Sequence, residues 1–372
     1  MAREPSAGPA HGPAHGPAGS AHGPAGSGAV AYRGVLFIGD PHLEGRQPGF
    51  RKDDYPQVIL EKLDWCLHYA AEHRLLPALL GDIFDKPRDN PTWMIARLID
   101  MLAGRECVGI YGNHDCADPE LNDNDTLMLL FKSGSIRRVS EDDPWRGVMG
   151  GRRVVIGGSS YRERLPQALG GAAPGPAVAE AAGAAGASRP LGIWLSHHDI
   201  IAPGYEEQGR LRPREIPGVD LVVNGHIHRE LGEVEVGATR WVTPGNISRR
   251  SRSDAVRDHV PSVLRLDVGG EGDGAGPGAA DRRPVAGCEL TRVIVPHAPF
   301  EEVFHPLVAG EEPDTSASAF VSGLAELQAR RTQSGAGLMS FLDQNLDQFE
   351  EAVAAEIRSL AEEVTGDGDY GE

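Results

Sequence analysis

The chain has 372 residues, of which 40% are hydrophobic, and its formal net charge at pH 7 is −18. This length suffices for one large domain or two smaller ones. The acidity argues only weakly against nucleic-acid binding, because residues 301–372 hold 16 Asp and Glu against three Arg. Four scattered cysteines without a C-x-x-C pair exclude a disulfide framework and a zinc ribbon. Since the sequence has no apolar signal region and no run of 18 apolar residues, we expect a cytoplasmic protein that does not cross a membrane.

Changes in composition divide the chain into four predicted parts. Residues 1–30 repeat Gly, Pro, Ala and His, which predicts a disordered tail. Residues 31–268 form the predicted main domain, with a flexible Ala/Gly-rich insertion at 169–188. The Gly-rich residues 269–288 predict a linker, and residues 289–366 predict a C-terminal module for capping or partner binding.

Five short apolar runs in the main domain each end in polar residues. They are GVLFIGDPH (34–42), LLPALLGDIFD (75–85), CVGIYGNHD (107–115), LGIWLSHHD (191–199) and VDLVVNGHIH (219–228). Such runs are typical of strands that are buried on both faces. Helical patterns at 53–74 and 90–104 separate the first three runs, and Asn90 is the predicted N-cap of the second helix, with Pro91 in its first turn. This alternation predicts a mostly parallel sheet, with ligands beyond the carboxyl ends of its strands.

The polar residues at these strand ends are oxygen and imidazole donors, without a thiolate. They are Asp40, His42, Asp82, Asp85, Asn113, His114, Asp115, His197, His198, His226 and His228. This donor set suits Mn²⁺, Fe²⁺ or Zn²⁺ better than it suits a sulfur-rich structural zinc site. The donors are too many for one tetrahedral ion, so we expect two ions about 3.5–4 Å apart that share a carboxylate.

The order of these motifs resembles the calcineurin-like metallophosphoesterase family over about residues 32–267. The motifs are D-x-H, G-D-x-x-D, G-N-H-D, a histidine at a strand end and G-H-x-H. The resemblance implies an α/β fold, with a sandwich of two mixed β-sheets flanked by helices (α/β/β/α). Here a small C-terminal helical module would follow the sandwich.

The resemblance also implies a role for each donor. The first ion would be held by Asp40, His42, Asp82 and His228, and the second by Asp82, Asn113, His197 and His226. His198 is the alternative to His197. His114 would contact the phosphate or protonate the leaving oxygen, and Asp85 would orient the His114 imidazole.

A two-ion site of this kind predicts a hydrolase of phosphoesters, with Mn²⁺ as the expected metal. The ions polarise the phosphoryl oxygens and lower the pKa of a bridging water, so that hydroxide forms near neutral pH. That hydroxide attacks phosphorus, and His114 acts as the general acid. A catalytically silent scaffold of the same fold would predict gaps among the ligand positions, and every position is filled.

Finer details favour a DNA nuclease. The segments GDPHLEGR (39–46), GDIFDKPRDNP (81–91), TPGNISR (243–249) and VIVPHAPFEEV (293–303) resemble those of SbcD-type DNA-repair exonucleases. This resemblance implies DNA as substrate and an SMC-like ATPase or a second copy of the chain as partner. The alternative is a phosphatase or phosphodiesterase for a small phosphoester or a (cyclic) nucleotide.

Arginines follow the last ligand-bearing strand. Arg249, Arg250 and Arg252 predict contacts with a nucleic-acid backbone, and a solvated loop is the alternative. Apolar residues at steps of three and four between Leu338 and Val364 predict a long amphipathic helix. This helix would pack on the protein's own core or on a partner.

Overall fold

The computed structural model describes residues 31–170, 189–250, 252, 257–269, 279–306, 342, 346 and 353–358. The predicted tail and nearly all of the predicted insertion lie outside these residues. Of the predicted C-terminal helix, the structure describes the buried Leu342 and Leu346 and the helical range 353–358.

The described elements follow one another as strands and helices along the chain. They are β1 (Gly34–Ile38), α1 (Tyr55–Glu72), β2 (Leu75–Leu79), α2 (Thr92–Leu102), β3 (Val108–Gly109), α3 (Thr126–Lys132), β4 (Arg137–Arg138), β5 (Trp145–Met149), β6 (Arg152–Ser159), β7 (Leu191–Ser196), β8 (Leu221–Asn224), β9 (Val234–Val236), β10 (Thr239–Val242), β11 (Ser262–Asp267), β12 (Ala279–Val285), β13 (Cys288–Ile294) and α4 (Phe300–Val303). None of the described helices has the length and apolar character needed to cross a bilayer.

The strands form two mixed sheets, as predicted. The first has the order β12-β13-β11-β1-β2-β3-β4, and the second has the order β5-β6-β7-β8-β10-β9. In the first sheet β1 to β4 are parallel, and β11 runs antiparallel to β1. In the second sheet β6, β7, β8 and β10 are parallel, while the edge strands β5 and β9 are antiparallel to their neighbours.

The main core lies between the two sheets. Alternate residues of β1 point to opposite sides, so Val35 and Phe37 join the core between the sheets while Leu36 and Ile38 pack with α1. Burial on both faces explains why these strands are continuously apolar. The outer side of the second sheet carries a further apolar cluster around Trp194, to which the β7–β8 connection contributes.

The start of α2 differs from the prediction. Its N-cap is Pro91, and the Asn90 amide instead donates to the Lys86 carbonyl (2.8 Å) and to Thr126 Oγ1 (3.0 Å). The Asn90 side chain therefore ties the preceding loop to α3 and is not available to cap the helix.

The first sheet also continues beyond residue 268. The strand β13 pairs with β11 from Ser262 to Asp267, and β12 pairs with β13. Residues 279–285, which composition predicts as part of a linker, therefore form the edge strand. Apolar side chains such as Val285 and Leu290 join the core between the sheets and hold the hairpin in place.

Candidate metal centre

The polar segments converge beyond the carboxyl ends of β1, β2, β3, β7 and β8. A glycine comes directly before a donor in four of these segments, at Gly39, Gly81, Gly112 and Gly225. A Cβ atom on Gly81 would lie 2.5 Å from His197 Nδ1, and one on Gly112 would lie 2.1 Å from Asp82 Oδ1. The donors can approach one another only because these positions lack a side chain.

The backbone at the donors is itself unusual. Four donors have a positive φ, between 37° and 70°: Asp40, His42, Asp82 and His226. Residues other than glycine adopt this conformation only at a cost in free energy, and such strain is concentrated at functional sites. The folded chain thus holds these side chains in position before any ion binds.

A first donor group contains His42, Asp82 and His114, whose ligand atoms lie within 4.8 Å of one another. His42 Nε2 lies 2.8 Å from His228 Nε2 and 3.7 Å from Asp82 Oδ2, which brings His228 to the same place. Burial lowers the pKa of both His42 and His228. Both imidazoles are therefore held in the neutral form that metal ions require.

A second donor group contains Asp82, His197 and His226, also within 4.8 Å of one another. His197 Nε2 lies 3.4 Å from Asp82 Oδ2 and 3.2 Å from Asn113 Oδ1. Asn113 Oδ1 in turn lies 2.9 Å from His226 Nδ1. Asp82 belongs to both groups, as a bridging ligand must.

Asp40 lies beside these groups and is completely buried. Its Oδ1 accepts a hydrogen bond from the His226 backbone N (2.9 Å) and lies 3.6 Å from His197 Nδ1. Its Oδ2 has no hydrogen-bond partner among the described residues. A buried oxygen without a partner is costly, and a divalent cation is the partner that a carboxylate among imidazoles would take. The donors at this centre thus fit metal ions.

The structure distinguishes His197 from His198 as the donor. His198 uses both ring nitrogens elsewhere, because Nδ1 lies 2.8 Å from Ser196 Oγ and Nε2 lies 2.8 Å from the Glu163 carbonyl. His197 Nδ1 lies 2.7 Å from the Leu80 carbonyl, which directs Nε2 toward Asp82. A hydrogen bond from the second ring nitrogen to a carbonyl is the usual support of a metal-binding histidine.

Protonation of the metal-free site follows from burial and close charges. Burial raises the pKa of Asp40 to about 7. Burial also tends to raise the pKa of Asp82, but the neighbouring imidazoles of His197 and His114 outweigh it and hold that pKa well below its usual range. Burial tends to lower the pKa of His197, but the Asp82 carboxylate outweighs burial and raises this pKa to about 9. Metal binding must therefore displace protons.

His114 is held at the edge of the first group. Its backbone N donates to Asp82 Oδ1 (2.8 Å), and its Nδ1 lies 2.8 Å from the Asp85 carbonyl oxygen. Asp85 therefore orients His114 mainly through its backbone, since the carboxylate oxygen lies farther away, at 3.6 Å. Burial lowers the pKa of His114, but the charges of Asp82 and Asp85 outweigh burial and raise it.

Of the three predicted arginines, Arg250 contacts a residue of this site. Its guanidinium pairs with Asp85 Oδ1 (2.6 Å) and also reaches Glu44 (3.2 Å). Arg249 is buried and donates to the backbone carbonyls of His259 and Ala298, so its side chain joins chain segments instead of facing a nucleic-acid backbone. Arg252 is half-buried, and its guanidinium carbon lies 3.9 Å from the centre of the Phe50 ring.

Two further carboxylates support the donors. Asp115 accepts hydrogen bonds from the backbone N of Phe84 (2.9 Å) and of Gly112 (2.9 Å), and so joins the loops after β2 and β3. Asp199 Oδ1 lies 2.9 Å from His226 Nε2, which turns His226 Nδ1 toward Asn113. The sequence carries a signal for both, because each acid directly follows a histidine of a predicted donor segment.

A cavity of about 380 Å³ adjoins the second donor group. Its lining includes two tyrosines, two arginines and two glutamates: Tyr111, Tyr161, Arg138, Arg162, Glu120 and Glu163. Arg138 pairs with Glu163. The Tyr161 ring centre lies 6.4 Å from that of His197 and 6.2 Å from that of His226. The motifs do not predict this cavity, because its lining residues lie outside them.

Comparisons with known proteins identify the family. The family model for calcineurin-like phosphoesterases matches residues 34–230, more than half of the chain. No curated protein matches it. Two structures from Thermus thermophilus have similar chains. The first, TT1561, is 15% identical, with 64% of this chain and 95% of that chain covered and a TM-score of 0.36. The second, a hypothetical protein, is 12% identical, with 70% and 99% covered and a TM-score of 0.37.

The residues that the family model matches include every donor at the carboxyl ends of the strands. Both donor groups draw on the same aspartate, which is the arrangement that a pair of metal ions needs. The chain therefore belongs to the calcineurin-like phosphoesterase family and is a metal-dependent phosphoesterase.

Proposed function

We propose that the chain is a two-metal hydrolase of phosphodiesters that acts on DNA ends, with Mn²⁺ as its metal. The observation that carries the two-metal assignment is the position of Asp82 in both donor groups. In this proposal Asp40, His42, Asp82 and His228 hold one ion. Asp82, Asn113, His197 and His226 hold the other.

The bound ions would supply Lewis-acid polarisation of the phosphoryl group and activation of water. His114 has its Nδ1 next to the Asp85 carbonyl, so Nε2 is the nitrogen that can protonate the leaving oxygen. The charges of Asp82 and Asp85 raise the pKa of His114, which favours the protonated form of the ring. Arg250 pairs with the Asp85 carboxylate and so balances its charge beside His114.

DNA is proposed as the substrate for two reasons. Four segments of the sequence resemble SbcD-type nucleases, and a cavity with tyrosines and arginines adjoins the second donor group. Aromatic rings stack on bases, and arginines accompany phosphates. Tyr161, next to His197 and His226, is well placed to take a base beside the scissile phosphodiester. An SMC-like ATPase or a second copy of the chain as partner stays a prediction from the resemblance.

The test compares three substrates with the Mn²⁺-loaded protein: linear duplex DNA, bis-p-nitrophenyl phosphate and p-nitrophenyl phosphate. We expect hydrolysis of the DNA and of the diester, and no cutting of covalently closed circular DNA. Intact DNA alongside turnover of the monoester would instead favour the small-phosphoester alternative. If none of the three reacts while two ions are bound, the proposal as a whole is wrong.

Tyr161→Ala provides a sharper test of the substrate. Loss of one stacking contact, worth about 1–3 kcal/mol, should raise KM for DNA by about 5- to 150-fold. The metal content should not change, because Tyr161 is not among the proposed ligands. An unchanged KM for DNA would exclude this cavity as the base site.

A further inference from the structure

A second cavity, of about 430 Å³, is lined by none of the metal donors. Three cationic side chains line it, from α1, from the loop before α1 and from the segment after β10: Lys62, Arg51 and Arg249. Apolar side chains of Val58, Trp65 and Val303 form other parts of its wall. We call this space the α1 cavity.

Lys62 is the most unusual residue of the α1 cavity. It is only 8% exposed, and its ammonium donates to the Ile247 carbonyl at 3.0 Å. Within the described part of the chain this is its only hydrogen bond, and no carboxylate lies within ion-pair distance. An ammonium has three donors, so two have no acceptor. Burial, reinforced by the charges of Arg51 and Arg249, lowers the pKa of Lys62 to about 7.

The hydrogen-bond partners of the two arginines do not neutralise the charge of Lys62. Arg51 pairs with Asp53, with Nε 2.8 Å from Oδ1 and Nη2 2.6 Å from Oδ2. Arg249 donates only to backbone carbonyls among the described residues. Glu61 also borders the cavity, but its side chain is exposed and accepts a hydrogen bond from Gln57. Three buried cations therefore share one paired carboxylate.

An excess of buried positive charge beside an open space favours the binding of an anion, which would also keep the proton on Lys62. We propose that the α1 cavity binds a phosphate-bearing ligand, which accepts hydrogen bonds from Lys62 and lies beside the guanidinium charges of Arg51 and Arg249. Ammonium and guanidinium groups together are the usual partners of phosphate oxygens. The apolar wall at Val58, Trp65 and Val303 leaves room for an organic group, as in small-molecule sites of this size. Inorganic phosphate and a nucleotide share this chemistry.

The experiment uses the full chain after removal of metal ions with EDTA, so that phosphate cannot bind through metal at the donor groups. Isothermal titration calorimetry would measure binding of inorganic phosphate, of dAMP and of deoxyadenosine. We expect one saturable site for at least one of the two phosphates and none for deoxyadenosine. Binding of inorganic phosphate would show that the free ion suffices as ligand. Binding of dAMP alone would show that the ligand is a nucleotide.

Two variants and a matched control test the residues. Lys62→Met should weaken phosphate binding at least about tenfold, the effect of losing a charge-assisted hydrogen bond. Lys52→Met should leave binding unchanged, because the Lys52 ammonium lies at the surface and donates to the Glu301 carbonyl. Val58→Trp narrows the cavity while it keeps all three cations, and should block dAMP.

Three results would overturn the proposal. They are the absence of binding for both phosphates, equal binding of deoxyadenosine, and unchanged affinity in both Lys62→Met and Val58→Trp. Lys62→Met also removes the donor to the Ile247 carbonyl, so its Tm without phosphate is compared with that of Lys52→Met to separate a loss of binding from a loss of fold. Thermal denaturation with and without phosphate gives a second readout, and Lys62→Met should lose the increase in Tm. Since metal is absent, a failure here leaves the proposed hydrolase activity untouched.

Discussion

The metal centre and the α1 cavity bury different kinds of polar group. At the metal centre carboxylates meet imidazoles, and Asp40 Oδ2 is buried without a partner. In the α1 cavity three cations meet one paired carboxylate, and Lys62 has a single acceptor among the described residues. Both places bury polar groups at a cost that the protein alone does not recover. The comparison indicates that each place is completed by a ligand of opposite charge, a cation in one and an anion in the other.

The largest effect is expected where both donor groups meet, at Asp82. Asp82→Asn keeps the size of the side chain but removes the charge that two ions would share. We expect fewer than about one bound Mn²⁺ per chain and a fall in kcat/KM of about 10²–10³-fold, the scale on which loss of one electrostatic group acts. Elemental analysis and diester turnover measure both. Phosphate binding in the α1 cavity should persist, and its loss would mean that the two places are not independent.

His114→Gln should separate proton transfer from metal binding. Loss of a general acid lowers kcat by about 10²–10⁴-fold, and most for a poor leaving group such as the alkoxide of DNA. For bis-p-nitrophenyl phosphate, whose leaving group needs little protonation, the decrease should be smaller. Metal content should stay at two ions. An equal decrease for both substrates would argue against His114 as the acid.

A change of pH should affect the metal-free and the metal-loaded protein in opposite ways. The folded pKa of His197 is about 9, above its ordinary value of 6.5, so its contribution to stability is complete below about 6.5 and is lost as the pH rises through 9. The raised pKa of His114 acts in the same direction. In the wild type the lowered pKa of Lys62, about 7, acts in the opposite direction above pH 7. We therefore expect the Tm of Lys62→Met in EDTA to fall from pH 6.5 to pH 9.

Over the same interval the gain in Tm from Mn²⁺ under anaerobic conditions should grow, because the ion no longer competes with protons for the imidazoles. Differential scanning calorimetry measures both trends. A Tm of Lys62→Met in EDTA that rises across this range would contradict the proposed charge state of the centre.

The smallest effect on catalysis is expected at Lys62. Lys62→Met changes the α1 cavity and none of the donors, so metal content and diester turnover should stay within about twofold of the wild type in phosphate-free buffer. Lys62→Met tests whether the metal centre depends on the α1 cavity, and Asp82→Asn tests whether the α1 cavity depends on the metal centre. A large loss of activity in Lys62→Met would show that the α1 cavity is needed for the geometry of the metal centre.

The donor set could be predicted because it is encoded locally. Asp40, Asp82 and Asn113 each come shortly after one of the parallel strands β1, β2 and β3, and the ends of such strands share one edge of the sheet. The choice between His197 and His198 could not be read from the sequence. It depends on the Glu163 carbonyl, which belongs to another loop and contacts the Nε2 atom of His198.

Other features depend on partners that are remote in the chain. In the sequence, Lys62 has the spacing of an ordinary helix residue. Only the fold shows that its ammonium donates to the Ile247 carbonyl and has no counter-charge among the described residues. The sequence predicts Arg249 at a nucleic-acid surface, but the carbonyls of His259 and Ala298 hold its guanidinium. Composition likewise predicts a linker at 279–285, where pairing with β13 produces a strand.

Helix α1 supports both places. The Tyr55 hydroxyl donates to the His42 carbonyl (3.0 Å), and two turns later Lys62 donates to the Ile247 carbonyl. The Ile247 backbone N donates to the carbonyl of Gly39 (3.2 Å), the residue before Asp40. We therefore expect that neither the metal centre nor the α1 cavity opens while α1 stays folded. Amide hydrogen exchange should therefore find α1 and the backbone at Gly39 and Ile247 opening as one cooperative unit, at rates typical of the most protected part of the molecule.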